Sequence, residues 1–169
     1  KKLSEQKIIE SESNYQALFN DSPVPVWLED LSGVMERIKE LKKEGVEDFK
    51  QFFDKNMHEV IGLTKKVKVL QVNQQVLALH KASSLKELMQ NFHKIFTLQA
   101  LEAFKVELLN LINKTPSFGV DCLMNTIDGE EVVVHMQWSV MADHEDKWDK
   151  VFVTSLNITE EHKSQQEIK

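Results

Sequence analysis

The chain has 169 residues, enough for one domain with a substantial buried core. Apolar residues make up 41% and charged ones 28%, the balance of a globular protein, and 27 acidic against 21 basic residues give a net charge of -6. That charge argues against a broad basic face for nucleic acid or anionic membrane, and the single cysteine, Cys122, excludes an internal disulfide and a cysteine-built zinc cluster. A lone thiol fits a reducing compartment. No stretch is long and apolar enough to span a bilayer, and residues 1–20 are too polar for a signal peptide.

Residues 1–19 read as a helix, with Ile8, Tyr15, Leu18 and Phe19 at roughly helical spacing. The stripe thickens towards Tyr15, as expected of a protruding helix that docks at its end or pairs with a copy of itself. Asp21-Ser22-Pro23 breaks it. Residues 24–29 form a first strand, with the prolines at its start. Asp30 or Ser32 can cap the next helix, whose buried face carries Val34, Ile38 and Leu41 and which Gly45 can stop. A second helix repeats Val46, Phe49, Phe53, Met57 and Val60, and Gly62 ends it.

Residues 66–73 alternate as a second strand. Short helices follow near 74–79 and 84–89, the latter opening on the capping-box pattern Ser84-Leu85-Lys86-Glu87. The longest helix runs from Thr97 to about Asn113, with Leu98, Leu101, Phe104, Leu108 and Ile112 as its buried stripe, and Pro116 closes it off. Three strands finish the domain. Phe118, Val120, Cys122 and Met124 share one face of the first, and Asp128-Gly129 signals a hairpin. The next strand sets Val132, Val134, Met136, Trp138 and Val140 against His135, Gln137 and Ser139. After a polar loop at 143–147, residues 148–156 form the last strand. It runs into Asn157-Ile158-Thr159-Glu160, where Asn157 can cap an exiting polar helix and Glu160 can bond back to the cap. The order predicts an α+β domain with helices gathered on one face of an antiparallel sheet. Both polar terminal helices cap nothing within the chain and look cut from something longer.

Taken together, Phe19-Asn20-Asp21-Ser22-Pro23-Val24-Pro25-Val26-Trp27, Val69-Leu70-Gln71-Val72-Asn73, Leu101-Glu102-Ala103-Phe104, Asp128-Gly129 and Asn157-Ile158-Thr159-Glu160 resemble a PAS domain, the small sensor module of bacterial signalling proteins. The resemblance covers about residues 15–160. Where the family usually has Asp-Ile-Thr, Asn157 replaces the aspartate and keeps its capping ability. The resemblance implies a five-stranded antiparallel sheet with flanking N- and C-terminal helices. It divides the chain into an N-terminal signalling helix at 1–19, a sensor domain at 20–157 and the start of a linker helix at 158–169. Residues 30–64 depart from an ordinary PAS domain by inserting two amphipathic helices between strands 1 and 2. Such an insertion is similar to a subgroup found ahead of histidine kinase or diguanylate cyclase modules. It either extends the core, or lids a pocket or forms a dimer face.

PAS domains bind small ligands between sheet and helices, which makes Trp27, Val72, Phe104, Leu108, Phe118, Val120, Cys122, Met136, Trp138, Phe152 and Thr154 the candidate pocket residues. The same residues could simply fill the core. Flavin and haem are not expected. Cys122 sits mid-strand and not in the helical Asn-Cys-Arg motif of light-sensing relatives, and residues 97–113 lack the histidine of haem-binding ones. His93 is expected at the surface, and Asp143-His144-Glu145-Asp146 as a solvated loop and not a metal site. Asn73 is expected to bond nearby backbone and start the following helix. No nucleophile motif, phosphate loop or His-Glu-x-x-His occurs, and with five glycines no glycine-rich cradle is available. The resemblance thus implies a non-catalytic cytoplasmic sensor, homodimeric through its flanking helices. It would relay a change through Asn157, Ile158, Thr159 and Glu160 to a histidine kinase of a two-component system or a diguanylate cyclase. The alternatives are a ligand-free dimerisation or docking module, or a small α+β enzyme with His135 facing an aspartate inside the pocket.

Overall fold

Alternating apolar residues in five segments build one antiparallel sheet in the computed structural model, which describes residues 2–168 and the side chains of residues 4–166. In chain order the elements are α1 (Lys2–Asp21), β1 (Val26–Asp30), α2 (Ser32–Lys43), α3 (Phe49–Lys55), α4 (Met57–Thr64), β2 (Lys68–Val72), α5 (Gln74–His80), α6 (Leu85–Gln90), α7 (Phe92–Ile95), α8 (Leu98–Ile112), β3 (Ser117–Asn125), β4 (Glu131–Val140), β5 (Val151–Asn157) and α9 (Thr159–Ile168). The strands lie side by side as β2-β1-β5-β4-β3, so the first and last strands pair at the centre. This is the expected α+β architecture. Lys1 and Lys169, the outermost positions of the expected terminal helices, lie outside the described residues.

The register sorts the sheet into transverse rows. Val72, Trp27, Val153, Trp138 and Phe118 sit opposite one another across all five strands and face the helices. Above them pack Phe104, Leu108 and Leu111 of α8 and Val76 of α5. The opposite face carries Leu28 beside Phe152, and there α1 docks, with the Tyr15 and Phe152 rings 6.4 Å apart. Only the end of α1 engages. Phe19 is buried, whereas Ile8, Ile9 and Leu18 are exposed.

The inserted segment differs from expectation in one respect. It forms three helices, because Asn56 leaves the helical region (φ -132, ψ 60) and turns its side-chain amide onto the Phe52 carbonyl. The bend lets Phe49 and Phe53 of α3 and Val60 and Leu63 of α4 all reach the core. Gly62 stops nothing, since α4 runs on to Thr64. Gly45 does end α2, in the left-handed region (φ 101), where a non-glycine residue would be strained. The insertion is fastened by Arg37 to Glu59 (2.7 Å) between α2 and α4, and by Lys105 to Asp54 (2.6 Å) between α8 and α3. It therefore extends the core.

Two further differences lie downstream. On α8 the buried stripe is Ala100, Ala103, Phe104, Glu107, Leu108 and Leu111, and Leu98 is exposed. Trp148 does not begin the last strand. It takes a left-handed turn (φ 56), buries its ring, and accepts the Leu31 amide on its carbonyl at 2.7 Å, so β5 starts at Val151.

Asn73 is fully buried and uses its whole amide. Its Oδ1 accepts from the amides of Val26 and Val76, and its Nδ2 donates to the carbonyls of Phe19 and Val24. Removing it orphans buried donors and acceptors on three elements. Asn73→Ala is expected to destabilise the chain by about 3 kcal/mol, read as a lowered urea midpoint.

Candidate functional site

A half-open cavity of about 70 Å³ lies between the sheet and α8. Its floor is the row Trp27, Val153 and Trp138, with Met136 and Met124 beside it; its roof is Ala100, Phe104 and Glu107 of α8. Thr64, Val67, Phe92 and Phe96, all partly exposed, complete the lining and mark the mouth. A water needs roughly 10–15 Å³ measured this way, so the space suits about five water-sized groups.

Of the residues expected to form a pocket, the structure brings together Trp27, Phe104, Met136 and Trp138. Leu108 and Cys122 are core residues behind the wall, and Val72 and Phe118 end the floor row outside the cavity. Val120 borders a shallow surface depression between α8 and β3. Phe152 and Thr154 point to the other face of the sheet. Val151, Val153 and Ser155 are the buried, inward members of β5, because the strand starts later than expected and its alternation is offset by one.

Two carboxyl groups in the lining escaped the sequence reading. Glu107 is 2% exposed, and its Oε2 has no hydrogen-bond partner among the described residues. Glu29 follows Trp27 at the next inward position of β1. The residue as a whole is half-buried, but its carboxyl is enclosed by protein. Burial pushes Glu29 up to about 7. Burial also holds Glu107 well above the usual carboxylate range, reinforced by repulsion from Glu29 and opposed by the Trp138 indole. The signal lay in α8 itself, where an acid interrupts the stripe between Phe104 and Leu108.

The other candidate groups lie outside the cavity lining, and of these His80 keeps one ring nitrogen, Nε2, without a partner among the described residues. His80 is buried; its Nδ1 is 2.8 Å from the Asn125 carbonyl and its ring stands edge-on to Trp27, while burial pushes its pKa down and keeps it neutral. His135 does face an aspartate, with Nδ1 2.7 Å from Asp121 Oδ1, but on the outer face of the sheet and partly exposed. It contributes nothing to the cavity, which removes the geometric basis of the enzyme alternative. His144 pairs with Asp149 (2.7 Å) and braces the loop before β5. Burial pushes the Cys122 thiol up to about 11, and His93 is exposed on α7.

At the exit, β5 passes into α9 without a break. Asn157 pairs with Val134 of β4; one residue on, the Ile158 amide donates to the Val133 carbonyl at 2.8 Å, and the Val133 amide donates to Thr159 Oγ1 at 3.0 Å. Asn157 Oδ1 accepts from the Thr159 amide and hydroxyl. Thr159, and not Glu160, thus makes the second half of the junction, because its hydroxyl reaches the sheet edge that β5 has vacated. Glu160 and Glu161 are exposed in the first turn, where acids suit the helix dipole.

No family model matches the chain, and no curated protein matches it. Solved structures do. The PAS domain of an HTR-like protein from Haloarcula marismortui aligns with a TM-score of 0.56 at 16% identity, over 94% of this chain and 100% of that one. A domain of a sensory box sensor histidine kinase/response regulator from Geobacter sulfurreducens aligns at 0.52 and 10% identity, over 88% and 96%. The PAS domain of a LuxR-family transcriptional regulator from Burkholderia thailandensis, solved in complex with ethanol, aligns at 0.53 and 11%, over 85% and 96%. The fold is the PAS fold.

The carboxyl pair has a consequence for stability. Each group binds its proton more tightly folded than unfolded, so its contribution is complete below about pH 4.5 and is lost as pH rises through the folded value, about 7 for Glu29 and well above the usual carboxylate range for Glu107. As pH rises from about 5 to about 8 the native chain is expected to lose stability relative to Glu107→Gln, seen as converging urea midpoints at the acid end and diverging ones at the alkaline end.

Proposed function

We propose that the chain is the sensory domain of a signalling protein, and that a small molecule entering the cavity alters the packing of β5 and, through it, the position of α9. The observation that carries this reading is continuity. Val153 lines the cavity, and four residues later the same strand ends at Asn157, where Ile158 and Thr159 are bonded to Val133. A ligand that displaces the floor row therefore acts on a strand with no slack before the helix. Asn157, Ile158, Thr159 and Glu160 are the proposed relay. The proposed division is a signalling helix at 1–19, a sensor domain at 20–157 and a linker helix from 158, with a histidine kinase or diguanylate cyclase as the output. A bacterial, cytoplasmic setting belongs to the same proposal. No helix among the described residues is long and apolar enough to cross a membrane.

The exposed Ile8, Ile9 and Leu18 of α1 support a homodimer through the flanking helices. They equally favour the second reading, a docking module that works without a ligand. The two part company over the cavity. On the sensing reading, short-chain alcohols or amines raise the melting temperature, and Ala100→Leu, which fills the roof, abolishes that rise while the chain stays folded. No ligand-dependent shift, with dimerisation intact, would leave the docking module standing.

The relay makes its own demand. Thr159→Val removes the hydroxyl held by Val133 and Asn157 and is expected to cost about 1 kcal/mol locally. Amide hydrogen exchange should speed up in the first turn of α9 and at Val133, with β1 and β2 unchanged. Unchanged exchange at Val133 would mean that the junction is not held by this bond.

A further inference from the structure

The cavity wall is almost entirely apolar, yet it contains two acids without a cation. Neither Glu29 nor Glu107 forms a salt bridge with a described residue; the Trp138 indole is the one side-chain donor that reaches Glu107, and its Oε2 is left without a partner. Arg37, Lys50, Lys81 and Lys105, which form ion pairs among the described residues, spend them on carboxylates outside the cavity. A buried polar atom left unpaired is costly, and native proteins rarely keep one without a use. A purely structural residue at position 107 would be another leucine, since its neighbours on the stripe are Ala103, Phe104, Leu108 and Leu111. What the site lacks is a set of hydrogen-bond donors carrying positive charge.

We propose that the cavity takes a short primary alkylammonium ion, its chain lying on Trp27, Val153 and Trp138 and its ammonium group held between the carboxyls of Glu29 and Glu107. The proposal rests on the reading of this cavity as a ligand site and names the chemistry that the site selects. An ammonium group has three donors and no acceptor, and so can satisfy two carboxylates at once. A carboxylate ligand would meet like charge with no compensating cation, and an alcohol has one donor for two acids. The volume limits the ion to about five heavy atoms. The raised proton affinity of both acids fits this use, because the empty site stays largely uncharged and the arriving cation displaces protons to solvent. The other titratable groups packed around the site are His80 on α5 and Cys122 on β3. Burial holds the first neutral and the second protonated across the neutral range. Lys65, Lys66, His93 and Lys94 neighbour the mouth residues in sequence and are exposed, so they stay in solvent.

Calorimetric titration of the whole chain with n-butylamine, 1-butanol and butyrate, each in two buffers of different ionisation enthalpy near neutral pH, tests this. The amine should bind with net proton release, and butyrate should not bind. Glu107→Gln should weaken the amine tenfold or more and suppress the proton release while leaving butanol unchanged, roughly the loss of one hydrogen bond to a charged group. Glu29→Gln carries the same expectation if Glu107→Gln fails to fold. Butyrate binding as tightly as the amine, or amine affinity indifferent to both variants, overturns the proposal. Butanol binding without amine binding overturns the ligand class but leaves the cavity as a ligand site. Binding of none of the three overturns both.

Discussion

The amide of Asn73 is the constraint on which the arrangement depends. It sits where four segments meet: the end of α1, the proline-bounded turn after it, the first residue of β1 and the first turn of α5. Each segment has backbone groups that helix or sheet pairing leaves over, and burial denies them water. One side chain with two donors and two acceptors answers all of them. A serine or aspartate could answer only some. Fixing that junction fixes the entry of β1, and β1 sits between β2 and β5. The central pair of strands, and with it the row that floors the cavity, is therefore positioned from one point.

From there the packing runs in two directions. On the helical side, Thr97 caps α8 and also donates its hydroxyl to the Leu123 carbonyl, while Gln99 accepts the Leu123 amide, so α8 is tied to the edge strand β3 at its start. That tie sets the rotation of α8 and carries Glu107 inwards with the apolar stripe. At the opposite end of the sheet's path, β5 yields its place beside β4 to the first residues of α9. The cavity therefore lies between a helix pinned at one end and a strand continuous with a second helix. A site with two acids and no cation partner in its wall is less stable than an apolar one would be, and buried polar groups kept at such a cost tend to mark function.

Much of this was legible in the sequence because it is local. The breaks at Ser22-Pro23 and Gly45, the caps at Ser84 and Thr97, the alternation of β3 and β4 and the turn at Asp128-Gly129 each follow from a few adjacent residues. The Asn73 position was legible as a backbone-bonding site, although its four partners were not. The cavity wall was read from alternation, and alternation fails when a strand start is misplaced. Trp148 looked like the first residue of β5, and the real start three residues later turned Phe152 and Thr154 to the outer face and Val153 inwards. Glu29 and Glu107 were passed over because charged residues are usually solvated, and only their positions on otherwise apolar faces hinted otherwise.

The sequence by itself determined the α+β class, the order of its elements and the polar helix that leaves the last strand. These rest on hydrophobic period, caps and turn residues, which act over one or two turns of chain. Tertiary structure decided which faces meet: that His135 and Asp121 stand outside the sheet, that the inserted segment bends at Asn56 to extend the core, and that two distant glutamates share one enclosed space. Those outcomes depend on register and helix rotation, set by contacts between residues far apart in the chain, and no local pattern encodes them.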